Sequence, residues 1–381
     1  MADGKSRVTT ISTFARRAGR VGLTATVVLL ISLLVLVGIL LAMSPGKPTP
    51  FLDDSGMPLA GSISEKIKVN INGVAQGMFI KGQNTRNPVL LYLHGGMPDY
   101  FLTQRYPTGL DRDFTVVWWE QRGSGLSFSA DTPPESVNPT QLVSDALALV
   151  NYLRKRFVQQ KIYLMGHSGG TFIGIEAAAL APELFHAYIG VAQMSNQLKS
   201  ESLAHAYMLK RFSDDGNVKM VRRLERARVG EAVPLPDAYL TVRDVAMHEL
   251  GVGTTHDMTS IVTGLVWQSL LNREYTLSEK IGMWRGKFLS SSRLWNTQLT
   301  TDLTKKVTRL KVPAYFFHGR YDYTVSYPLA RAYYQQLDAP VKGFYTFEHS
   351  AHSPLFEEPE KMCEFMRADV LTGSKTLADP E

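Results

Sequence analysis

Cysteine is nearly missing: Cys363 is the only one in 381 residues. An intramolecular disulfide is thereby excluded, and the thiol, set in a helical pattern near the C-terminus, reads as a packing residue. Also missing is any His/Cys/carboxylate spacing that would hold a metal, so neither a metal nor a cofactor is expected. The net charge is +6, yet no basic stripe interleaved with aromatics and no nucleic-acid motif accompanies it, which sets nucleic acid aside as a partner. Internal repeats and low-complexity tracts are not evident.

Charge is missing altogether from Val21 to Met43, an apolar run preceded by Lys5, Arg7, Arg16, Arg17 and Arg20. The run is long enough to cross a bilayer, whereas the apolar part of a cleavable signal peptide spans only about 7 to 15 residues. We expect a signal anchor: residues 1–20 a cytoplasmic basic tail, 21–43 in the membrane as a partner, 44–63 a linker that begins Pro/Gly-rich, and the remainder extracytoplasmic. Secretion after cleavage near Ala42 to Ser44 is the alternative.

Lys161 to Ala179 reads as an apolar strand, one sharp turn and a small-residue helix, with Ser168 at the apex of Gly166-His167-Ser168-Gly169-Gly170. Flanking glycines let neighbouring backbone pass close to a serine held in a strained strand-to-helix turn. The hydroxyl then stands at a helix N-terminus, whose unpaired N–H groups and partial positive charge favour an oxyanion.

Such a hydroxyl needs a base, and the base needs an orienting acid. Both follow in the chain. A buried strand from Val312 breaks at Gly319 and delivers Asp322 into a loop; a second strand, Gly343 to Phe347, is followed by His352 within Ala351-His352-Ser353-Pro354. His349 competes for the role of base, but it lies close enough to the strand end to be structural. The order Ser168, Asp322, His352 is that of an α/β-hydrolase triad.

Leu93-His94-Gly95-Gly96-Met97-Pro98 and Trp119-Glu120-Gln121-Arg122-Gly123-Ser124-Gly125-Leu126-Ser127 add two further motifs. With the serine turn, the His318-Gly-x-x-Asp322-x-x-Val325 segment and Ala351-His-Ser-Pro, they resemble the proline iminopeptidase-like branch of the α/β-hydrolases over roughly residues 65 to 370. The resemblance implies a serine hydrolase working through an acyl-enzyme, with backbone N–H groups of Gly96 and Gly169 as the oxyanion hole and a small molecule or short peptide as substrate. Two positions depart from the branch's pattern. Met97 replaces a proline, and Gly169 stands where the peptidases usually carry tryptophan, which predicts a more open, apolar acyl site and a preference for uncharged esters over free-amine prolyl amides. The alternatives are an aminopeptidase and a non-catalytic binding module.

The fold class expected is α/β: a mostly parallel central sheet flanked by helices, with an inserted helical cap and an N-terminal transmembrane helix. The predicted organisation is core over 64–194, cap over 195–303, core again over 304–372 and a tail over 373–381. Ile67 to Ile71 and Met78 to Lys81 should pair around Asn72-Gly73; Val89 to Leu93, Phe114 to Trp119 and Ala187 to Ala192 should be strands, and Pro139 to Arg156 an amphipathic helix. His94 is expected to hold its own loop, Arg122 with Glu120 to brace the neighbouring loops, and Glu201, Glu231, Glu249 and Glu274 are the cap carboxylates able to grip a substrate amine.

Overall fold

The computed structural model describes residues 4–380, with side chains from residue 21; the expected basic tail, 1–20, lies outside the described side chains. Helix α1 (Gly4–Ala42) carries the apolar run, and Val21–Ala42 is long and apolar enough to cross a membrane while packing against nothing. A membrane anchor and a signal sequence share that character.

Eight strands form the sheet: β1 (Ile63–Ile71), β2 (Val74–Gly82), β3 (Val89–Leu93), β4 (Thr115–Trp119), β5 (Ile162–His167), β6 (Phe185–Val191), β7 (Ala314–Gly319) and β8 (Lys342–Phe347). Their spatial order is β1-β2-β4-β3-β5-β6-β7-β8, antiparallel across the first two pairings and parallel thereafter. Asn72 and Gly73 both have positive φ, the backbone that a two-residue hairpin turn requires. The hairpin strands run to nine residues each, longer than the alternation shows. Ser64–Lys66 lies half-buried at the sheet edge, and Gly77 interrupts the pattern of β2.

Helices α2 (Pro139–Arg156) and α3 (Gly169–Leu180) follow β4 and β5. Asn138 caps α2 by accepting from the Gln141 N–H, and Pro139 occupies the first helical position, where no N–H is needed. Helices α4 (Gln197–Asp214), α5 (Val218–Glu225), α6 (Asp237–Glu249), a π-helical turn (Val262–Val266) continuing as α7 (Trp267–Leu271), α8 (Leu277–Thr300) and α9 (Leu303–Lys306) all lie between β6 and β7. α10 (Tyr327–Gln336), α11 (Pro354–Glu357) and α12 (Pro359–Phe365) follow, the last continuing as a π-helical turn (Met366–Val370).

Both faces of the sheet are covered, as buried parallel strands require. Leu91 packs with Leu142, Phe172 and Tyr333 on one face, while Leu90 and Tyr92 pack with Met283, Met362 and Phe365 on the other. The helices between β6 and β7 have a core of their own, built from Met208, Phe212, Leu224, Tyr239 and Leu299.

The segment after α1 is fastened to α7 and α8. The Lys280 ammonium, 1% exposed, donates to the Met43 carbonyl (3.2 Å), Ser44 Oγ (2.9 Å) and the Leu270 carbonyl (2.6 Å). Gly46 N–H donates to the Arg273 carbonyl at 3.1 Å. Thr49 N–H donates to Glu274 at 2.9 Å, and the same carboxylate takes the Lys81 ammonium at 3.1 Å and the Tyr100 hydroxyl at 2.6 Å.

Candidate active site

The polypeptide turns at Ser168 with φ 55° and ψ −124°, a backbone that costs a non-glycine residue of order 1–3 kcal/mol and persists only where the surroundings impose it. β3 imposes it from below. A Cβ at Gly170 would run into the carbonyls of Leu93 and His94, and one at Gly95 would come within 2.8 Å of the Ser168 Cβ. The loop after β3 and the turn after β5 can therefore approach only as glycines. That approach brings Gly95 within 3.6 Å of where a Gly169 Cβ would stand; Gly96 follows it, exposed on its loop, and the Gly169 N–H opens α3 and has no intrahelical acceptor.

Asp322 is delivered from the end of β7 and is buried. Its Oδ2 accepts from His352 Nδ1 at 2.9 Å and lies 3.2 Å from His318 Nε2, while Oδ1 accepts from the Val325 N–H at 2.9 Å. Burial alone would raise this carboxyl, but the His352 imidazole and the His318 bond outweigh it and hold it well below the ordinary carboxylate range. His352 is shifted down, chiefly by burial, against the opposing pull of Asp322.

Three residues outside the sequence assignment hold this dyad in place. His318, on β7 and fully buried, donates from Nε2 to the Val325 carbonyl at 3.0 Å beside Asp322. His167, the residue before Ser168, puts Nε2 at 3.0 Å from the His352 carbonyl and Nδ1 at 3.0 Å from Asp99 Oδ2, tying the serine turn to the histidine loop. Glu357 accepts from the N–H groups of Ala351 (2.9 Å), Ser353 (3.3 Å) and His256 (2.5 Å), joining that loop to the segment after α6. A histidine interrupting the apolar run Tyr315-Phe-Phe-His318 was the one available signal, since a buried imidazole needs a partner. The partners of His167, and His256 among those of Glu357, are remote in sequence and left none.

His349 does not brace the strand end with its side chain. The side chain is exposed, and only its N–H is engaged, donating to Glu358 at 3.1 Å. His94 does hold its loop: Nδ1 faces the Gly95 carbonyl (2.9 Å), Nε2 accepts from the Gln121 N–H (3.1 Å), and burial lowers its pKa to about 4, so the ring is neutral.

Glu120 and Arg122 do not pair. Arg122 turns toward α2 and holds Asp145 through two bonds, 2.7 and 3.0 Å, because that aspartate sits on the buried stripe with Leu142, Ala146 and Leu149 and must be neutralised there. Glu120 instead meets the Tyr275 hydroxyl and the Leu126 N–H, and burial raises it to about 8.

None of the four cap glutamates named from the sequence presents a free carboxylate to Ser168. Glu201 is held by Arg243 (2.6 and 2.7 Å), Tyr239 (2.7 Å) and Gln197 (2.7 Å). Glu274 is consumed by Thr49, Lys81 and Tyr100; Glu231 and Glu249 are exposed. The open apolar space expected beside the nucleophile is not there either. Gln298 of α8 places Nε2 3.1 Å from where a Gly169 Cβ would stand, so a carboxamide fills the room that glycine leaves. Two clefts of about 510 and 470 Å³ are lined respectively by Asp322 with Tyr207 and Tyr323, and by Lys81 with Tyr100 and Phe51; Ser168 lines neither.

A doubly covered, mostly parallel sheet with a strained serine turn after β5 and an Asp322–His352 pair after β7 and β8 has the architecture of a hydrolase. The sequence model of the alpha/beta hydrolase fold matches residues 88–359. The "Probable aminopeptidase YbaC" of Bacillus subtilis is 30% identical over 305 residues, covering 80% of this chain and 95% of that protein. The chain therefore belongs to the α/β-hydrolase family. Solved structures agree on the fold. A proline iminopeptidase-related protein of Thermus thermophilus superposes with a TM-score of 0.55 at 19% identity, covering 80% of this chain and 98% of its own. A laboratory-evolved variant of potato epoxide hydrolase gives 0.54 at 17% identity, covering 81% and 100%.

Proposed function

We propose that the protein is a membrane-anchored serine hydrolase that cleaves an ester or amide bond through an acyl-enzyme. The observation that carries this is the strained Ser168 turn tied through His167 to the loop of His352, whose Nδ1 bonds Asp322. In this reading His352 Nε2 takes the proton from Ser168 Oγ as the oxygen attacks the carbonyl carbon. The N–H groups of Gly96 and Gly169 hold the oxyanion, and the same proton passes to the leaving alcohol or amine. Water, deprotonated by His352, then attacks the acyl-enzyme and releases the acid. Asp322, kept ionised, fixes the tautomer and stabilises the imidazolium.

Uncharged acyl esters fit the site better than free-amine substrates, because a cation entering a closed site without a carboxylate carries a desolvation cost of several kcal/mol, and the cap glutamates are engaged or at the surface. Aminopeptidase activity is the second reading, favoured by the name of the Bacillus relative. Labelling with a fluorophosphonate, lost in Ser168→Ala, tests the mechanism. A p-nitrophenyl acyl ester compared with free and N-acetylated prolyl p-nitroanilides tests the substrate. A clear preference for the free amine would overturn the ester reading while leaving the acyl-enzyme intact. Localisation with the catalytic part extracytoplasmic belongs to the same proposal and is checked by protease accessibility of the hydrolase portion in sealed membranes.

A further inference from the structure

The helices that receive the end of α1 carry an unusual surface. From Met258 to Asn272 no residue is charged, and this stretch exposes Val262 (65%) and Trp267 (56%). α7 packs along the start of α8: Trp284 Nε1 donates to Ser269 Oγ at 3.0 Å, and Lys280 donates to the Leu270 carbonyl. On α8, Ile281 (54%) and Phe288 (71%) are also exposed. Seven residues apart, they fall within about 20° of each other around the helix, and they lie next to Trp284, the side chain that meets α7. Large exposed apolar side chains grouped in this way mark an interaction surface.

Three observations identify what covers it. The first is continuity: Lys280, the neighbour of Ile281, holds Met43 and Ser44, so the surface begins where the apolar helix ends. The second is charge. Of the charged residues from Arg273 to Arg293, both acids are engaged, Glu274 with Lys81 and Glu279 with Lys66 (2.8 Å), whereas Arg273, Arg285 and Arg293 are exposed cations and Lys287 is half-exposed. The third is composition: an aromatic, aliphatic side chains and cations on one helical pair are what an interfacial helix presents to acyl chains and anionic headgroups. We infer that the α7–α8 face of the cap rests on the bilayer surface, with Val262, Trp267, Ile281 and Phe288 in the headgroup region and the surrounding cations on anionic lipid.

The inference rests on reading α1 as an anchor, and the two can be separated. The full chain is reconstituted into phosphatidylcholine–phosphatidylglycerol vesicles containing brominated lipid. Trp267 should be quenched, and Trp267→Phe should remove most of the quenched emission of the five tryptophans. In Val262→Glu/Phe288→Glu the quenching of Trp267 should fall at least about twofold, while fluorophosphonate labelling in detergent, which reports the fold, stays at wild-type level. An unquenched Trp267 in vesicle-bound protein overturns the inference, whether the face proves solvent-exposed or covered by a second copy seen on cross-linking. Release of the chain by carbonate would count against the anchor alone, and quenching of Trp267 would still decide the docking surface.

Discussion

The sheet and the helices inserted after β6 are held together in different ways. Strands β3, β4, β5 and β7 are buried end to end, and apart from His167 and His318 near the ends of the last two their side chains are mainly apolar and pack by shape. The inserted helices depend on specific polar partners: Glu201 with Arg243, Tyr239 and Gln197; Glu274 with Lys81 and Thr49; Lys280 with the end of α1. Apolar burial is tolerant and written locally in the sequence. Buried polar networks are intolerant, and their partners lie far apart in the chain.

The largest effects should come from the strand ends. Ser168→Ala should lower kcat by on the order of 10⁶-fold with an unchanged far-ultraviolet spectrum, since the members of such a constellation act as a unit. His352→Ala should match it and His349→Ala should not, and comparable losses in both histidine variants would show the base to be misassigned. Asp322→Asn should cost roughly 10⁴-fold by presenting the wrong imidazole tautomer.

Next in size is a stability effect that separates the two regions. Glu274→Ala strands the buried Lys81 ammonium, which burial already pushes down against the support of Glu274. Removing one partner of such a pair costs about 3–5 kcal/mol, read as a lower urea midpoint. A shift no larger than that of an exposed substitution such as Glu231→Ala would show that the polar anchoring is dispensable and that both regions rest on apolar packing.

The smallest effect is in pH dependence. A base must be neutral to act, and a lowered His352 stays neutral to lower pH, so kcat/KM should rise with pH through a midpoint below the ordinary histidine value of about 6.5 and then level off. A midpoint above that value would mean that the partner carboxylate outweighs burial.

Much of the sheet was legible because its signals are local. Asn72-Gly73, the apolar runs ending in glycine and the Gly-x-Ser-x-Gly turn each state their geometry within a few residues, and Asn138-Pro139 marks the start of α2 to the residue. The supporting shell was not legible. Nothing near Arg122 points to Asp145, although a lone aspartate on the apolar stripe of α2 signals that some cation must reach it. Nothing near Gly169 announces Gln298, more than a hundred residues away, and for that reason the space beside the nucleophile was misjudged. The segment from Ser44 to Pro50 looks like a loose tether because proline and glycine dominate it; the side chains that fix it belong to α8, to β2 and to the turn between α7 and α8.

The bonds around His352 also have a mechanical consequence. Its N–H donates to the Gly253 carbonyl at 3.2 Å, and Glu357 grips the N–H groups on either side of it together with that of His256. On this side the segment after α6 and the His352 loop are riveted into one body. An opening that swung the segment after α6 away would carry His352 out of register with Ser168, and α8 is tied across as well, through Ser290 Oγ to Ser124 Oγ at 3.0 Å and through Gln298 beside Gly169. Hydrogen exchange offers the check: the amides of His352 and His256 should exchange together and slowly, at the rate of global unfolding.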